Sequence, residues 1–142
     1  MPTVKDLMAR KGSTVHTASP DASVLDVTRL MNDHRIGAVI VVQDGHVVGV
    51  FTERDVLTRV VAAGRDPSST RVRDVMSSPV AYCTPATPLE ECRAIFTDRR
   101  IRHLPVMDGS NLVGVITSGD LLAYDVVSHQ QTIHYLEQYI TS

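Results

Sequence analysis

The chain repeats itself once, and this internal repeat constrains the fold more than any single motif. Three pairs of stretches match, two at an offset of 65 and one at an offset of 68: 35–42 with 100–107, 49–55 with 114–120, and 4–8 with 72–76. The change of offset places three extra residues near Lys11 in the first copy. A repeated unit of this kind cannot bury its apolar face alone. The sequence therefore predicts two copies of one unit that pack together.

Each copy has the local pattern of a strand, a helix, two more strands and a second helix. A short apolar stretch, residues 14–17 in the first copy and 80–83 in the second, comes first. Two β-branched runs follow in the first copy, 38–42 and 47–51, and the Asp-Gly dipeptide between them is typical of a tight hairpin turn. The second copy repeats this pair of runs around its own Asp-Gly dipeptide.

Apolar residues at helical spacing predict the first helix of each copy. They are Val24, Val27, Leu30 and Met31 in the first copy, and Leu89, Cys92, Ile95 and Phe96 in the second. Around Pro88, Thr87 and Glu90 have the spacing of a capping box with Thr87 as the N-cap. The second helix is predicted to begin at Thr52 in one copy and at Thr117 in the other.

These elements predict an α/β fold of the α+β type. Two βαββα repeats pack sheet to sheet with their helices outside, and a C-terminal helix is added. We assign residues 1–65 to the first repeat, 66–71 to a polar linker, 72–127 to the second repeat and 128–142 to a helical tail.

The tail carries an apolar stripe. Ile133, Leu136 and Ile140 fall at i, i+3 and i+7, with Tyr139 alongside. Because an exposed stripe is costly, we expect the tail helix to cover or brace the interface of a two-fold homodimer. The alternative is that the tail folds back on its own repeat.

The composition argues against several classes of function. With 14 basic and 16 acidic side chains the net charge is −2, which provides no electrostatic footprint for nucleic acid or an anionic membrane. The chain start lacks a signal-peptide pattern, and no segment approaches the ~20 apolar residues of a membrane span. Two cysteines and six histidines show no metal-ligand spacing, and no serine lies in a nucleophile elbow. We therefore expect a cytoplasmic protein without metal, catalytic cofactor or enzymatic activity.

The motifs resemble those of the CBS domain, and two in tandem resemble a Bateman module. The resemblance spans residues 3–127 and looks in detail like the stand-alone CBS-pair proteins of bacteria and plant mitochondria. It implies binding of AMP, ADP, ATP, NAD or S-adenosylmethionine in clefts between the repeats, and it implies no catalysis. The residues that carry it are the Gly-Val-x-Thr-x-x-Asp stretches at 49–55 and 114–120, the Leu-Pro-Val stretch at 104–106, and the sequences ending at Met8 and Met76.

The resemblance gives roles to the two Thr-x-x-Asp elements. It implies that Asp55 and Asp120 accept hydrogen bonds from ribose hydroxyls, with Thr52 and Thr117 beside the phosphates. These roles suit the groups involved, because a carboxylate can accept two hydroxyl donors and a helix N-terminus favours an anion. The same pattern at a helix start is also an ordinary cap. Both interpretations stay open at the level of sequence.

Differences between the repeats predict unequal clefts. Arg102 and His103 stand at the start of a strand in the second repeat, where related nucleotide-binding modules place phosphate contacts. The equivalents in the first repeat are Gly37 and Ala38, whose small size would let an adenine ring approach the backbone. The first repeat instead has Arg54 inside its Thr-x-x-Asp element. We expect the second cleft to be the tighter for a charged nucleotide.

The remaining candidates each have a plainer alternative. Lys11 is a candidate third basic contact that faces the cleft of the second repeat, and its alternative is a solvated surface lysine. Ser118 and Gly119 lie inside the second Thr-x-x-Asp element. Four residues are candidates for the apolar walls around an adenine, with ordinary core packing as an equal alternative: Ile36, Val50, Ile101 and Val115.

Together these patterns predict a regulatory module that binds an adenine nucleotide and signals to a partner protein. AMP is the first candidate ligand, with ATP, ADP or NAD(H) as alternatives. We expect a homodimer and no contact with nucleic acid or membrane. The other function class is an interaction or scaffold module whose ligand clefts are vestigial.

Overall fold

Two small sheets and the helices around them make up the protein. The computed structural model describes residues 1–78 and 80–141, side chains excepted at 128, 129, 132, 135 and 139–141. Over these residues the elements are α1 (Val4–Lys11), β1 (Thr17–Ala18), α2 (Val24–His34), β2 (Ala38–Gln43), β3 (His46–Thr52), α3 (Glu53–Asp55) continuing as a π-helical segment (Val56–Val61), α4 (Val72–Val75), α5 (Leu89–Arg99), β4 (His103–Asp108), β5 (Asn111–Thr117) and α6 (Ser118–Thr141). The predicted fold class is confirmed.

Each sheet is built on one of the predicted hairpins. β2 pairs antiparallel with β3, and β4 pairs antiparallel with β5. Asp44 and Gly45 have φ values of 52° and 79°, the left-handed conformation that a tight hairpin turn requires. β1 adds a parallel strand to β2. The predicted strand at 80–83 is wrong for all but Cys83, which forms a single parallel bridge with Val106.

The start of α5 corrects the predicted capping box. Pro88 is the N-cap and makes no side-chain cap bond, while the Thr87 Oγ1 accepts a hydrogen bond from the Thr84 N–H at 2.9 Å. The cause is a contact from elsewhere in the chain. The Thr87 carbonyl accepts a hydrogen bond from the Val4 N–H at 2.9 Å, which holds Thr87 outside the helix.

Each half of the chain has its own apolar core, and each core contains a helix that comes from the other half. Val4 and Leu7 of α1 are buried in the core of the second repeat. Val72 and Val75 of α4 are buried in the core of the first. Their buried neighbours include Leu89, Leu104, Ile116 and Leu121 in one core, and Val24, Val39, Val41 and Phe51 in the other. Neither core is complete without the other half of the chain.

Backbone hydrogen bonds fix this exchange of helices. The first segment is joined to its host by bonds that include Val4 N–H to the Thr87 carbonyl at 2.9 Å and Leu89 N–H to the Pro2 carbonyl at 3.0 Å. The second is joined by bonds that include Val24 N–H to the Thr70 carbonyl at 2.9 Å and Val72 N–H to the Ala22 carbonyl at 3.0 Å. The exchange was not predicted from the sequence pattern. The spacing of Val4, Leu7 and Met8 does indicate a helix. It does not indicate which core that helix joins.

Methionines in the exchanged segments pack against glycines of the hairpins. A Cβ added at Gly114 would lie 2.6 Å from the Met8 Cε, and a Cβ added at Gly49 would lie 2.6 Å from the Met76 Sδ. Both distances are shorter than a normal van der Waals contact, so glycine is needed for the close approach. The glycine and methionine of the matching motifs are therefore partners across the two halves.

Replacing these glycines is expected to have unequal effects on stability. A Cβ at Gly49 also meets the Met76 Cγ at 3.0 Å and the Ser77 carbonyl oxygen at 3.1 Å, whereas the close contact at Gly114 is with a terminal methyl that can rotate away. Gly49→Ala should lower the free energy of unfolding by about 1–3 kcal/mol. Gly114→Ala, the matched variant, should cost less. Urea denaturation measures both, and equal losses would contradict the packing described.

The predicted tail is the end of α6 and not a separate element. α6 runs without a break from Ser118 to Thr141. Ile133 and Leu136 are 56% and 50% exposed, so their own repeat does not cover this part of the stripe. The side chains of Tyr139 and Ile140, which belong to the same prediction, lie outside the described residues.

Candidate ligand site

In both repeats the start of one strand is held beside the start of the second helix. The Glu53 N–H donates to the Gly37 carbonyl at 2.9 Å. In the second repeat the Ser118 N–H donates to the Arg102 carbonyl at 3.0 Å. These bonds bring the predicted strand-start residues next to the Thr-x-x-Asp elements. The two halves of each predicted cleft are therefore adjacent.

Both Thr-x-x-Asp elements are capping boxes. In the first, the Thr52 N–H donates to Asp55 Oδ2 at 3.0 Å and the Asp55 N–H donates to Thr52 Oγ1 at 3.2 Å. In the second, the Thr117 N–H donates to Asp120 Oδ2 at 2.9 Å and the Asp120 N–H donates to Thr117 Oγ1 at 3.0 Å. The cap accounts for one carboxylate oxygen of each aspartate. Whether a ligand can bind to either aspartate depends on the partners of its other carboxylate oxygen.

Asp55 is buried and its carboxylate is fully engaged by the protein. The residue is 5% exposed. The Ser77 Oγ donates to Oδ1 at 3.1 Å, and the Arg59 Nε lies 3.7 Å from the same oxygen. A ribose hydroxyl could reach Asp55 only by displacing these groups.

Asp120 is more accessible, and its main partner is a lysine. Its side chain is 24% exposed. The Lys11 Nζ lies 2.5 Å from Oδ2 and also donates to the Val115 carbonyl at 2.7 Å. The other oxygen, Oδ1, accepts no hydrogen bond from any residue that the structure describes. Lys11 thus lies beside Asp120 of the second repeat, and it is an ion-paired side chain, not a freely solvated one.

Each aspartate has one partner that comes from an exchanged segment. Lys11 ends α1, which is embedded in the second core, and Ser77 follows α4, which is embedded in the first. Lys11 was a candidate because of its position in the insertion, whereas Ser77 and Arg59 were not predicted. The i, i+4 spacing of Asp55 and Arg59 was the available signal for one of them.

His103 marks the place where the two repeats meet. A methyl group on Gly37 would lie 3.6 Å from the His103 Cε1 and 3.3 Å from the Glu53 Oε1. Burial lowers the pKa of His103, and the charges of Glu53 and Asp120 partly oppose this effect. The imidazole is therefore held towards its neutral form.

The remaining predicted residues separate into core, cleft and surface positions. Ile36 and Ile101 pack against the two cores, as the core interpretation requires. Val50 and Val115, which are equivalent at the offset of 65, belong to neither core cluster of the described residues. Their strand neighbours point to the cores, so alternation places these two valines on the opposite sheet face. The others are Ala38, paired with Thr52 in the sheet, half-buried Ser118, and exposed Arg54, Arg102 and Gly119.

Two cavities lie near these residues. One of about 210 Å³ is bounded by Lys11 and Asp120 together with Arg10 and Tyr124, whose ring centroid lies 4.7 Å from the Arg10 guanidinium carbon. The other, of about 550 Å³, lies between α2 and the start of α3 beside Gly37. Its lining residues do not include Asp55. The smaller cavity is therefore the one that meets a Thr-x-x-Asp carboxylate.

Three further observations on the described part of the chain concern metal ions, thiols and membranes. Among the described residues, no three histidine, cysteine or acidic side chains are grouped so as to hold a metal ion. Cys83 and Cys92 are free and buried, and the hydrogen bond between them raises the pKa of the Cys83 thiol. None of the described helices has the length and apolar character needed to cross a membrane.

Comparison with known proteins agrees with this architecture. The sequence model of the CBS domain matches twice, at residues 4–62 and 72–127. The chain belongs to the CBS-domain family. CBS-domain proteins are generally regulatory modules. Each match begins at the helix that packs into the other repeat.

Relatives of the CBS pair include stand-alone proteins. The mitochondrial CBS domain-containing protein CBSX3 of Arabidopsis thaliana is 32% identical over 97% of this chain and 71% of its own length. YhcV of Bacillus subtilis, another CBS domain-containing protein, is 38% identical over 85% of this chain and 84% of its own. The predicted resemblance to bacterial and plant mitochondrial proteins is confirmed.

Solved CBS-pair structures share the fold. A Burkholderia ambifaria protein with CBS domains, to which a role in signal transduction is ascribed, has a TM-score of 0.85 at 36% identity, over 89% of this chain and 95% of its own. A hexameric CBS-CP12 protein from bloom-forming cyanobacteria has a TM-score of 0.77 at 30% identity, over 86% and 70%. The CBS pair of protein MJ0100, in complex with 5′-methylthioadenosine and S-adenosyl-L-methionine, has a TM-score of 0.79 at 20% identity, over 90% and 98%. The last likeness concerns the fold alone.

Replacing His103 should reduce the loss of stability at acid pH. Because its pKa is lowered in the folded state, the unfolded chain takes up this proton first, and stability falls as the pH drops below the ordinary value of 6.5 towards the folded-state pKa. The Tm of His103→Gln should therefore fall less than that of the wild type between about pH 7.5 and about pH 5.5. His46→Gln, at an exposed position, is the control and should keep the wild-type slope. If the Tm of His103→Gln falls with pH as much as that of the wild type, the lowered pKa of His103 is refuted.

Proposed function

We propose that this CBS pair is a regulatory sensor that binds an adenine nucleotide, AMP first among the candidates, and signals to a partner protein. The observation that supports it best is the Asp120 carboxylate. It stands in the first turn of a 24-residue helix, is partly exposed, and has one oxygen to which no described residue donates. A ribose hydroxyl is the kind of donor that such an oxygen accepts.

The basic groups around Asp120 suit the phosphate end of the ligand. Lys11 is in direct contact with the carboxylate, and His103 interacts electrostatically with Asp120, Arg102 and Lys11. The start of α6 adds the partial positive charge of a helix N-terminus. One fold neighbour, MJ0100, is solved with two adenosine-containing ligands. These ligands carry no phosphate, so they support an adenosine-containing ligand and do not specify a nucleotide.

The two clefts are proposed to differ in affinity. Asp55 is buried, hydrogen-bonded to Ser77 and ion-paired with Arg59, while Asp120 has an accessible oxygen. The cleft of the second repeat should therefore be the tighter.

A sensor of this kind acts by binding and has no need of a catalytic group. Free buried thiols suit a reducing compartment, and the cytoplasm stays a prediction.

Calorimetry on the nucleotide-free protein tests this function. The panel is AMP, ADP, ATP, NAD, NADH and S-adenosylmethionine, with an expected Kd in the micromolar range, about −8 kcal/mol. Asp120→Asn should weaken binding by about 10-fold or more, because a hydrogen bond to a charged group is lost. Asp55→Asn is the matched variant and should weaken it less.

Two outcomes would contradict these assignments. A larger loss in Asp55→Asn would mean that the clefts are assigned the wrong way round. No heat and no thermal shift with the whole panel would reject the sensor and favour the scaffold alternative.

We also propose a homodimer formed through the second helices of the repeats. Leu57 and Val61 are 62% and 64% exposed, and Leu122 and Val126 are 66% and 46% exposed. The two pairs are equivalent at the offset of 65, so the repeats present the same apolar i, i+4 pair. A two-fold interface requires a patch that complements itself, and two copies of one patch satisfy this condition. The exposed Ile133 and Leu136 extend the apolar surface along α6.

Light scattering tests the dimer. The double variant Leu57→Glu, Leu122→Glu should be monomeric, because it places charges in the interface. Tyr82→Glu, at a 61% exposed position outside both pairs, should stay dimeric. Truncation after Val127 should weaken the dimer if the tail braces it. A monomeric wild type would refute the dimer, and an unaffected double variant would refute this interface.

A further inference from the structure

The Lys11 ammonium already neutralises the carboxylate that the proposed ligand would use. Its Nζ contacts Asp120 Oδ2 at 2.5 Å and the Val115 carbonyl at 2.7 Å. Both side chains are about one quarter exposed, at 26% and 24%, so water screens the pair only in part. A ligand that binds at Asp120 therefore meets a lysine that already has a partner.

No lysine among the described residues contacts Asp55 of the first repeat. The segment that reaches Asp55 from the other half supplies the Ser77 hydroxyl, which is uncharged. The Arg59 guanidinium that also approaches Asp55 comes from the same helix as the aspartate, at i+4. A lysine from the exchanged segment is thus a feature of the second cleft and arises from the three-residue insertion near Lys11.

The charge of the ligand decides whether Lys11 can give up this contact. A nucleotide phosphate offers the ammonium a new anionic partner, so that releasing the carboxylate costs little. A nucleoside offers none, and releasing Asp120 would then leave the ammonium without a counter-ion in a partly buried place. The lysine therefore favours ligands that carry a phosphate.

The space beside Asp120 supports the same conclusion. The cavity there is about 210 Å³ and Lys11 forms part of its wall. Small-molecule sites usually have about 300–1,000 Å³. Movement of the Lys11 side chain towards a phosphate would enlarge this cavity beside the carboxylate. Binding of the ligand and movement of the Lys11 side chain to its phosphate would thus occur together.

We propose that Lys11 is the specificity-determining residue of the second cleft, which selects nucleotides over nucleosides by moving from Asp120 to the ligand phosphate. The proposal rests on the proposed function. It adds the chemical class that this cleft accepts and names the residue that sets it.

The test compares AMP with adenosine by calorimetry in four proteins. The wild type should bind AMP at least about 10-fold more tightly than adenosine. Lys11→Met keeps the aliphatic stem without the charge, and it should lose most of this preference, with adenosine binding unchanged or stronger. Lys11→Arg should retain the preference. Lys5→Met removes the same charge from an exposed position of the same helix and should behave as the wild type.

The outcomes separate this proposal from the general function. An AMP preference that survives in Lys11→Met, or a wild type that binds both ligands equally, would overturn the role of Lys11 and leave the sensor intact. A wild type that binds neither would overturn the sensor and this proposal together. If Lys11→Met does not fold, salt titration of the wild type decides. AMP binding must then weaken with salt much more than adenosine binding, and equal weakening would overturn the proposal.

Discussion

The burial of α1 in the second core and of α4 in the first is the interaction on which the rest of this structure depends. It completes both cores, since Leu7 and Val75 supply apolar surface that the host repeat lacks. It also sets the position of the residues that follow each helix. Lys11 and Ser77 reach their aspartates because the helices before them are anchored in the opposite repeat. Folding and assembly of the candidate site are thus the same process.

Much of the fold could be predicted because its determinants are local. Alternating β-branched runs around an Asp-Gly turn specify a hairpin wherever it lies in the chain. The destination of α1 is not local. Val4 and Leu7 mark an apolar face, but the pattern does not say which surface covers it. The misplaced cap at Thr87 has the same origin, because its carbonyl is held by a residue more than 80 positions earlier, Val4.

The positions of the candidate site residues could be predicted from the sequence, but the groups that surround them could be predicted only in part. The Thr-x-x-Asp elements were located correctly, and the cap that they form is visible in the sequence. Unequal clefts were predicted from the basic residues, but the different surroundings of the two aspartates were not visible, because they depend in part on Lys11 and Ser77 from the opposite half of the chain. Ser77 and Arg59 enclose Asp55, whereas Tyr124, which is equivalent to Arg59 at the offset of 65, stacks with Arg10 and borders a cavity. One duplicated backbone thus carries two different chemical environments.

The unbroken course of α6 has a mechanical consequence. Its first turn holds Asp120, and its last described residue is Thr141, so the 24 residues form one rod about 36 Å long. A rod converts a small tilt at one end into a large displacement at the other. A rotation of about 10° in the first turn would move the far end by roughly 6 Å, given that length. The helix that contributes the carboxylate is therefore also a lever, and its C-terminal part would carry such a motion away from the cleft.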